Sequence, residues 1–450
     1  MYNEALKSAL SGKGYQDLRY QQLRTTTIKV SKGKIKDVSV VNKAGGNSRA
    51  LIGGGYGTYS FNDISDAKTA MEQSASISSF IPGSVKLAQV PVTLDEIIAN
   101  PLLDPRTIDL DDKKSLLLSY DQILCGFEDI VNTDGSYYEI VSYKTFVNNE
   151  GSVITQEHII CGINYRIISM RDGVIQQTRL SLGGTDCYSD LLHQELVVHN
   201  KAQQTVDLLE AKTLEGGDYD VILDHEVGGL FIHEAFGHLS ESDNLLDNEA
   251  LRETMTLGTE FGSEILNVID DPSLKGIPGS YTYDDEGVRG KQTYLIKKGK
   301  LSGRLHSRQS AGLLEEEPTG HCRAKDYNFK PIVRMGNIYI DKGPHKFEDM
   351  ISSMEKGILL FGSAGGQTSG EMFTFAVQGG YQIKEGKITN MVRDIALSGN
   401  LFTTMKNIEM IADSVEYSKA GGCGKAGQIL VTSGKGSAPI KVKKMSIGGK

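Results

Sequence analysis

The sequence predicts an α+β protein in two parts: an N-terminal α/β-type domain over residues 1–215 and a mostly β C-terminal domain over 216–450, with one helix near its start. Two observations support this prediction. The 450 residues include 51 Gly and only 10 Pro, a composition that favours tight turns and much β-structure. Helical periodicity is concentrated in the first half, whereas strand-like and Gly-rich segments dominate the second.

Four turns of one type predict β-hairpins. In each, a Gly follows polar residues, and β-branched or aromatic residues lie on at least one side, so the Gly supplies the positive φ of a tight turn. The turns are Val30–Lys34, Met170–Val174, Ile296–Lys300 and Ile383–Lys387.

Three segments predict helices in the N-terminal domain: Ile64–Ser79, Asp111–Phe127 and Ser189–Leu214. Strand-like runs from Tyr137 to Ser181 separate the second from the third, and Gly216-Gly217 is expected to end the third helix. We therefore place the domain boundary there. Beyond it, Gly-rich loops are expected at Gly276–Gly290, Gly362–Gly370 and Gly421–Gly427.

Charge and hydropathy exclude several classes of protein. The net charge of −9 argues against direct nucleic-acid binding through a basic surface. The segment Met1–Tyr20 lacks the apolar core of a signal peptide, and the longest apolar run, Val227–Ile232, is far shorter than the ~20 residues of a membrane span. We expect a cytoplasmic protein without a membrane partner.

The five cysteines show no C-x-x-C pair, which favours a reducing compartment over a disulfide framework. Cys125, Cys161 and Cys187 lie in apolar settings and are expected to be small buried side chains. Cys423 lies within Gly421–Gln428, where the density of Gly predicts an exposed loop rather than a packed strand. Its thiol is therefore a candidate for function.

The segment H-E-A-F-G-H, residues 233–238, carries the strongest chemical signal. Its two His lie five residues apart, which is about 140° around a regular helix, so both can reach one ion only if the helix is distorted or ends before His238. Gly237 lies where that distortion is needed, and we expect it to tolerate unusual φ and ψ there. The alternative without a metal site is that the two His lie on an ordinary amphipathic helix and that Glu234 is solvated.

A catalytic zinc usually has three protein ligands and one open position, so His233 and His238 require a third. The candidates are Cys423 and the acidic residues after the motif, Glu241, Asp243 and Asp247. Glu234 adjoins the first ligand, from where a carboxylate can act as general base on a metal-activated water. Sequence proximity favours the carboxylates, but the segment after Gly237 has little freedom to fold back, so we favour Cys423.

Several segments together resemble the TldD/PmbA family, once described as modulators of DNA gyrase. They are H-E-A-F-G-H, Gly279–Gly287 (G-S-Y-T-Y-D-D-E-G), Pro331–Asn337, Leu397–Asn400 and Gly422–Gln428. TldD-type members carry the H-E-x-x-x-H motif and the late Cys, whereas PmbA-type members lack the motif. The resemblance therefore implies a zinc-dependent, TldD-like peptidase that cleaves peptides or unfolded segments, with His233, His238 and Cys423 as Zn²⁺ ligands and Glu234 as base. It also implies a homodimer, or a heterodimer with a PmbA-type chain.

His321 is a further candidate catalytic residue, because His321-Cys-Arg323 resembles a family segment near the active site and could polarise a carbonyl or stabilise an oxyanion. A surface His beside the turn at Pro318–Gly320 is the alternative.

Two rival functions differ in class. Cys423 with a His could be a thiol nucleophile, which would leave Glu234 without a role. A non-catalytic regulatory or scaffold subunit of the PmbA type is the non-enzyme alternative. Phosphate-binding loops and G-x-S-x-G elbows do not occur, which excludes common ATPase and serine-hydrolase sites.

Overall fold

The structure, a computed structural model, describes residues 2–185, 187–419, 421–430 and 432–448. It is a mixed α and β protein, as predicted. The first half of the chain is built on one sheet with strand order β3-β2-β1-β5-β6-β4, in which β7 pairs with the later residues of β6, along the same edge as β4. Its strands are β1 (Tyr15–Ser31), β2 (Lys34–Leu51), β3 (Tyr56–Phe61), β4 (Leu94–Ile97), β5 (Ile130–Asn148), β6 (Val153–Arg171) and β7 (Val174–Gly184).

The helices of the first half are α1 (Tyr2–Ser8), α2 (Ala67–Phe80), α3 (Leu110–Cys125) and α4 (Glu195–Glu210). The predictions for α2 and α3 are confirmed to within a few residues. The third helix is shorter than predicted: residues 188–191 form a separate 3₁₀ turn, and His193 has a φ of 60°, which breaks the helical path before Glu195. It ends at Glu210 rather than at Gly216, because Ala211 is extended and Lys212–Thr213 form strand β8.

All four predicted hairpin turns are confirmed. In each, a polar residue and the following Gly both have positive φ, the conformation of a tight hairpin turn. The pairs are Lys32-Gly33, Asp172-Gly173, Lys298-Gly299 and Glu385-Gly386.

Two sheets organise the second half of the chain. The larger has the order β16-β9-β25-β19-β17-β18-β8, with β20 paired to β25, and the smaller has the order β12-β11-β10-β15-β24-β21. The larger contains β8, β9 (Gly217–Leu223), β16 (Lys356–Ser369), β17 (Met372–Lys384), β18 (Lys387–Arg393), β19 (Ala396–Asn400), β20 (Ile408–Ile411) and β25 (Ile440–Gly448). The smaller contains β10 (Val268–Asp270), β11 (Thr293–Lys297), β12 (Lys300–Leu301), β15 (Asn337–Ile340), β21 (Glu416–Tyr417) and β24 (Gly434–Ser437).

Two short hairpin-like pairs complete the strands: β13 (Cys322–Arg323) with β14 (Ile332–Val333), and β22 (Cys423–Lys425) with β23 (Gln428–Leu430). The expectation of a loop at Gly362–Gly370 is wrong, because residues up to Ser369 belong to β16 and pair with β17 across a bulge near Gly365. A bulge accommodates the positive φ of that Gly without ending the strand.

The helix predicted near the start of the second half is α5 (His225–Ile232), and all its residues from Val227 to Ile232 are buried. It lies between the two sheets, in contact with β16 and β9 of one and β15 and β24 of the other. Further short helices follow, so the expectation of one helix is wrong. They are α6 (Glu249–Thr254), α7 (Arg308–Leu314), α8 (Phe347–Ser352) and α9 (Leu401–Lys406).

Buried ion pairs join the two halves through the segment Gly279–Gly287. Asp285 lies 2.5 Å from Lys144 and 3.5 Å from Arg19, and Glu286 lies 3.0 Å from Arg49. Burial by itself would raise the pKa of Asp285, but the charges of Lys144 and Arg19 hold it well below its usual range. This motif therefore attaches the C-terminal half to the N-terminal sheet.

No helix in the described residues is both long enough and apolar enough to cross a lipid bilayer.

Candidate metal centre

Helix α5 begins with a side-chain cap and ends in a π-helical turn. Asp224 accepts a hydrogen bond from the backbone N–H of Val227 at 2.8 Å, which satisfies a free donor at the helix N-terminus. Residues His233–Gly237 then form the π turn, and His238–Ser240 a 3₁₀ turn. The wider π turn brings two His five residues apart onto one side, as the spacing predicts.

Gly237 allows this turn for a different reason from the one predicted. Its φ of −56° and ψ of −52° are ordinary helical values that any residue adopts. A Cβ at this position, however, would lie 2.2 Å from Sδ of Met335 and 3.0 Å from Cδ1 of Ile338. Glycine therefore leaves room for the buried side chains of Met335 and Ile338, which a Cβ would displace.

His233, His238 and Cys423 offer ligand atoms that all lie within 4.8 Å of one another. The Nε2 atom of His238 is 3.5 Å from Sγ of Cys423, and the two imidazole rings are nearly perpendicular, with centroids 5.4 Å apart. Two donors of a tetrahedral zinc site are separated by about 3.6 Å. The structure thus brings together the three residues predicted as ligands.

His233 shows why this cluster suits a metal ion. The side chain is buried, and neither ring nitrogen has a hydrogen-bond partner. Burial lowers the pKa of this imidazole well below its usual value, so it is neutral, the form in which His binds a metal. Buried unpaired nitrogen atoms are costly, and a divalent ion would satisfy one of them. Two imidazoles and a thiolate are a set that zinc prefers.

The setting of Cys423 differs from the prediction of an exposed loop. The residue lies in β22, opposite Leu430 of β23, and its side chain is buried in the hydrophobic core of the second half. Arg334 donates a hydrogen bond of 2.6 Å from Nη2 to the carbonyl oxygen of Cys423. The Gly residues serve a tight hairpin here, with positive φ at Ala426 and Gly427, rather than an open loop.

Of the three other cysteines that the sequence predicts to be buried, two are buried and one is exposed. Cys161 and Cys187 are buried as predicted, whereas Cys125 is exposed at the last residue of α3.

The acidic residues after the motif lie around the cluster rather than within it. Glu241 is fully buried and lies 2.9 Å from Nδ1 of His238, on the side of the ring away from Cys423. Asp243 is paired with Lys425 at 2.6 Å, and Lys425 also lies 3.1 Å from Glu241. Asp247 is exposed.

The charges around His238 favour a cation. Burial alone would lower the pKa of this imidazole, but the contacts with Cys423 and Glu241 raise it to about 10. The same two groups, Cys423 and Glu241, would stabilise the positive charge of a metal ion bound beside His238.

Glu234 is partly buried beside His233, and burial raises the pKa of its carboxyl group. It makes no hydrogen bond to a residue that the structure describes, so it is free to accept a proton from a water in the site.

His321 is buried rather than at the surface. Its Nε2 lies 3.0 Å from Oδ1 of Asp270 and its Nδ1 lies 2.9 Å from Oγ1 of Thr319, so both ring nitrogens have partners. It lies outside the cluster of ligand atoms found in the described residues. A catalytic role for His321 remains a prediction.

A cavity of about 940 Å³ lies between the two halves of the chain, and its wall includes Gly422, the residue before Cys423. Arg179 and Lys201 line it on the N-terminal side, and Glu226, Gly422 and Lys435 on the C-terminal side. Lys435 was missed by sequence reasoning, as were Arg334 and Lys425. The last two belong to the motif segments Pro331–Asn337 and Gly422–Gln428, which was the available signal.

Comparison with known proteins identifies the family of the chain. Three domain profiles of one family match the chain: PmbA/TldA metallopeptidase domain 1 over residues 17–78, the central domain over 103–212 and the C-terminal domain over 216–449. The chain belongs to the PmbA/TldD metallopeptidase family. The profiles divide the first 215 residues into two units, where we predicted one domain.

Relatives of this PmbA/TldD chain are described as metalloproteases. A metalloprotease of Synechocystis sp. is 36% identical over 435 residues, which is 96% of this chain and 94% of the relative. A zinc metalloprotease TldD homolog of Saccharolobus solfataricus is 32% identical over 316 residues, 70% of each chain.

Solved structures show the same fold. A crystal structure from Thermotoga maritima, described as a modulator of a DNA gyrase, superposes with a TM-score of 0.82 at 18% identity and covers 99% of both chains. TldE from Thermococcus kodakarensis superposes with a TM-score of 0.74 at 15% identity, again over 99% of both chains.

Proposed function

We propose that this PmbA/TldD protein is a zinc-dependent peptidase that hydrolyses peptides or unfolded protein segments. One observation carries the proposal: the ligand atoms of His233, His238 and Cys423 converge within 4.8 Å at a buried site where the His233 nitrogens have no other partner. The curated relatives described as metalloproteases support it.

Each residue of the site has a distinct role. His233, His238 and Cys423 would hold the ion, and Glu241 would orient His238. Zinc in such a site acidifies a water molecule and polarises a carbonyl group. Glu234 would take a proton from a water molecule as the water oxygen adds to the scissile carbonyl carbon, and would give the proton to the departing amine as the C–N bond breaks. One proton thus passes from the water through Glu234 to the amine, and Glu234 ends the reaction ionised, as it began.

The cavity between the two halves supports an extended substrate. Its volume of about 940 Å³ is at the upper end of the 300–1,000 Å³ that is typical of ligand sites. It accommodates a few residues of peptide but no folded domain. The substrate is therefore a short peptide or a segment that unfolds locally.

Replacement of the base tests the proposal. Glu234→Gln keeps the shape of the side chain and removes its basicity, so we expect unchanged zinc content and at least a 10²-fold loss of hydrolysis of an unstructured fluorogenic peptide. Glu249→Gln, at an exposed Glu in the first turn of α6, is the matched control. Equal activity in wild type and Glu234→Gln would contradict the proposal. A scaffold protein of the PmbA type would hydrolyse no peptide in either form.

We further propose that the enzyme works in the cytoplasm as a homodimer or as a heterodimer with a PmbA-type chain. The sequence resemblance supports the dimer, and the lack of a C-x-x-C pair among the cysteines supports a reducing compartment. Light scattering of the purified chain, alone and with a PmbA-type partner, distinguishes the assemblies. A monomer that degrades folded proteins would refute this assembly.

A further inference from the structure

Lys435 lies beside the helix that carries the candidate metal ligands. It belongs to β24, where it pairs with Ile338 of β15. The next residue, Gly436, is so close to α5 that a Cβ on Gly229 would come within 3.3 Å of its backbone. Since Gly229 is four residues before His233, β24 places Lys435 at the end of α5 from which the π turn continues.

The ammonium group of Lys435 has no partner of its own. The side chain is half-buried and lines the cavity together with Gly422, which directly precedes Cys423 along the chain. It makes no hydrogen bond or ion pair with any residue that the structure describes. A cation removed from bulk water without a hydrogen-bond acceptor is costly, so a lysine kept in this state points to an acceptor that arrives with a ligand.

Glu234 is the complementary half of this arrangement. Burial lowers the pKa of Lys435, and the nearby negative charges of Glu234 and Glu226 oppose that shift. Lys435 and Glu234 are therefore close enough to interact, yet they form no ion pair. A base and a hydrogen-bond donor, each without a partner among the described residues, therefore lie near each other and near His233.

His321, which the sequence predicts could stabilise an oxyanion, has partners inside the protein. Both ring nitrogens of His321 are already bonded, to Asp270 and Thr319, so its N–H is not available to a substrate in this arrangement. Lys435 has three N–H donors and no such commitment.

We propose that Lys435 is a catalytic residue that donates a hydrogen bond from Nζ to the oxygen of the scissile carbonyl. This inference rests on the proposed peptidase function. When the water oxygen adds to the carbonyl carbon, the electron pair of the C=O bond moves to that oxygen, where the Lys435 N–H stabilises the negative charge. The pair returns to re-form the C=O bond as the C–N bond breaks and the amine receives its proton from Glu234.

Kinetics of Lys435→Met and Lys435→Arg test the role. Methionine keeps most of the side-chain volume without the donor, so we expect kcat to fall by about 10²–10³-fold with KM changed by less than about three-fold. Arginine retains a donor and recovers part of kcat. Lys300→Met removes an exposed lysine from the opposite edge of the same sheet and is expected to have wild-type kinetics.

Binding of a phosphinic peptide, measured by calorimetry, is a readout independent of turnover. Such a peptide mimics the tetrahedral carbon, so its affinity for Lys435→Met should fall by about the same factor as kcat/KM, with zinc content and Tm unchanged. Unchanged kcat in Lys435→Met would overturn the proposal. Loss of zinc or of thermal stability, without rescue by Arg, would also overturn it by showing a structural role.

The two proposals fail in different ways. If wild-type protein with bound zinc hydrolyses no peptide, the peptidase function fails. The comparison of phosphinic-peptide affinity between wild type and Lys435→Met then still decides whether Lys435 contacts the bound oxygen: equal affinities would refute the contact.

Discussion

Nδ1 of His238 and Oε2 of Glu241 lie 2.9 Å apart, with the carboxylate fully buried behind the imidazole. A carboxylate accepts but cannot donate, so this contact holds a proton on Nδ1 and leaves Nε2, on the side of Cys423, as the nitrogen that can give up its proton and bind a metal ion. Glu241, one of the candidate ligands from the sequence, thus lies behind His238 and determines which nitrogen of that ring faces Cys423.

Glu241→Gln should therefore weaken zinc binding by about 10–100-fold without emptying the site, the usual range for an outer-shell partner of a metal-binding His. Competition against a chelator of known affinity measures the change. Asp247→Asn, at an exposed acidic residue on the same segment, is the control and should bind zinc as wild type does. An unchanged zinc affinity in Glu241→Gln would show that the contact does not support the ligand.

Cys423→Ser should remove most zinc binding, because a neutral hydroxyl replaces the only thiolate near the two His in the described site. Cobalt-substituted wild-type protein should show a thiolate-to-metal charge-transfer band that Cys423→Ser lacks. Cys125→Ser, at an exposed thiol on α3, should retain both the metal and the band. If the band persists in Cys423→Ser, another residue is the third ligand.

Gly237→Ala should disturb the site through packing rather than through backbone strain. The new methyl would lie 2.2 Å from Sδ of Met335, so the π turn or the Met must shift, at a cost of about 1–3 kcal/mol in free energy of unfolding. The double variant Gly237→Ala/Met335→Ala opens that space and should regain zinc affinity relative to Gly237→Ala. Zinc titration and denaturant unfolding measure both effects, and no difference between the single and double variants would refute the packing explanation.

Asp285→Asn should loosen the attachment of the two halves. The change leaves Arg19 and Lys144 without their shared carboxylate in a buried setting, which costs about 3–5 kcal/mol in free energy of unfolding. Asp111→Asn, which removes an exposed ion pair with Lys114, should cost less than about 1 kcal/mol. Urea unfolding of the three proteins compares these costs, and equal costs for the two variants would contradict a role in attachment.

The same contact predicts a pH dependence. Because the pKa of Asp285 is lowered in the folded protein, its stabilising effect is complete above the unfolded pKa of about 3.9 and is lost as the pH falls through the lower, folded value. The difference in stability between wild type and Asp285→Asn should therefore be constant from pH 5 to 7 and shrink in more acidic buffer. A difference that grows toward low pH would contradict this assignment.

Local chemistry made part of this protein predictable. A polar residue followed by Gly dictates the backbone of a tight hairpin turn whatever its surroundings, and all four such turns form. Helical periodicity likewise located α2 and α3. The spacing of His233 and His238 required a distorted helix by geometry alone, and a π turn is present.

Tertiary contacts decided the rest, because they join residues that are far apart in the chain. Gly237 was recognised, but the reason for it lies in Met335, about a hundred residues later. The structure places Cys423 beside the two His, yet its burial depends on a strand pair and on Arg334, which no local pattern reveals. Lys435 carries no motif at all. Its proposed role follows from its position in the cavity wall near Glu234, where its ammonium group has no partner among the described residues. That lack of a partner can be recognised only once the packing of the site is known.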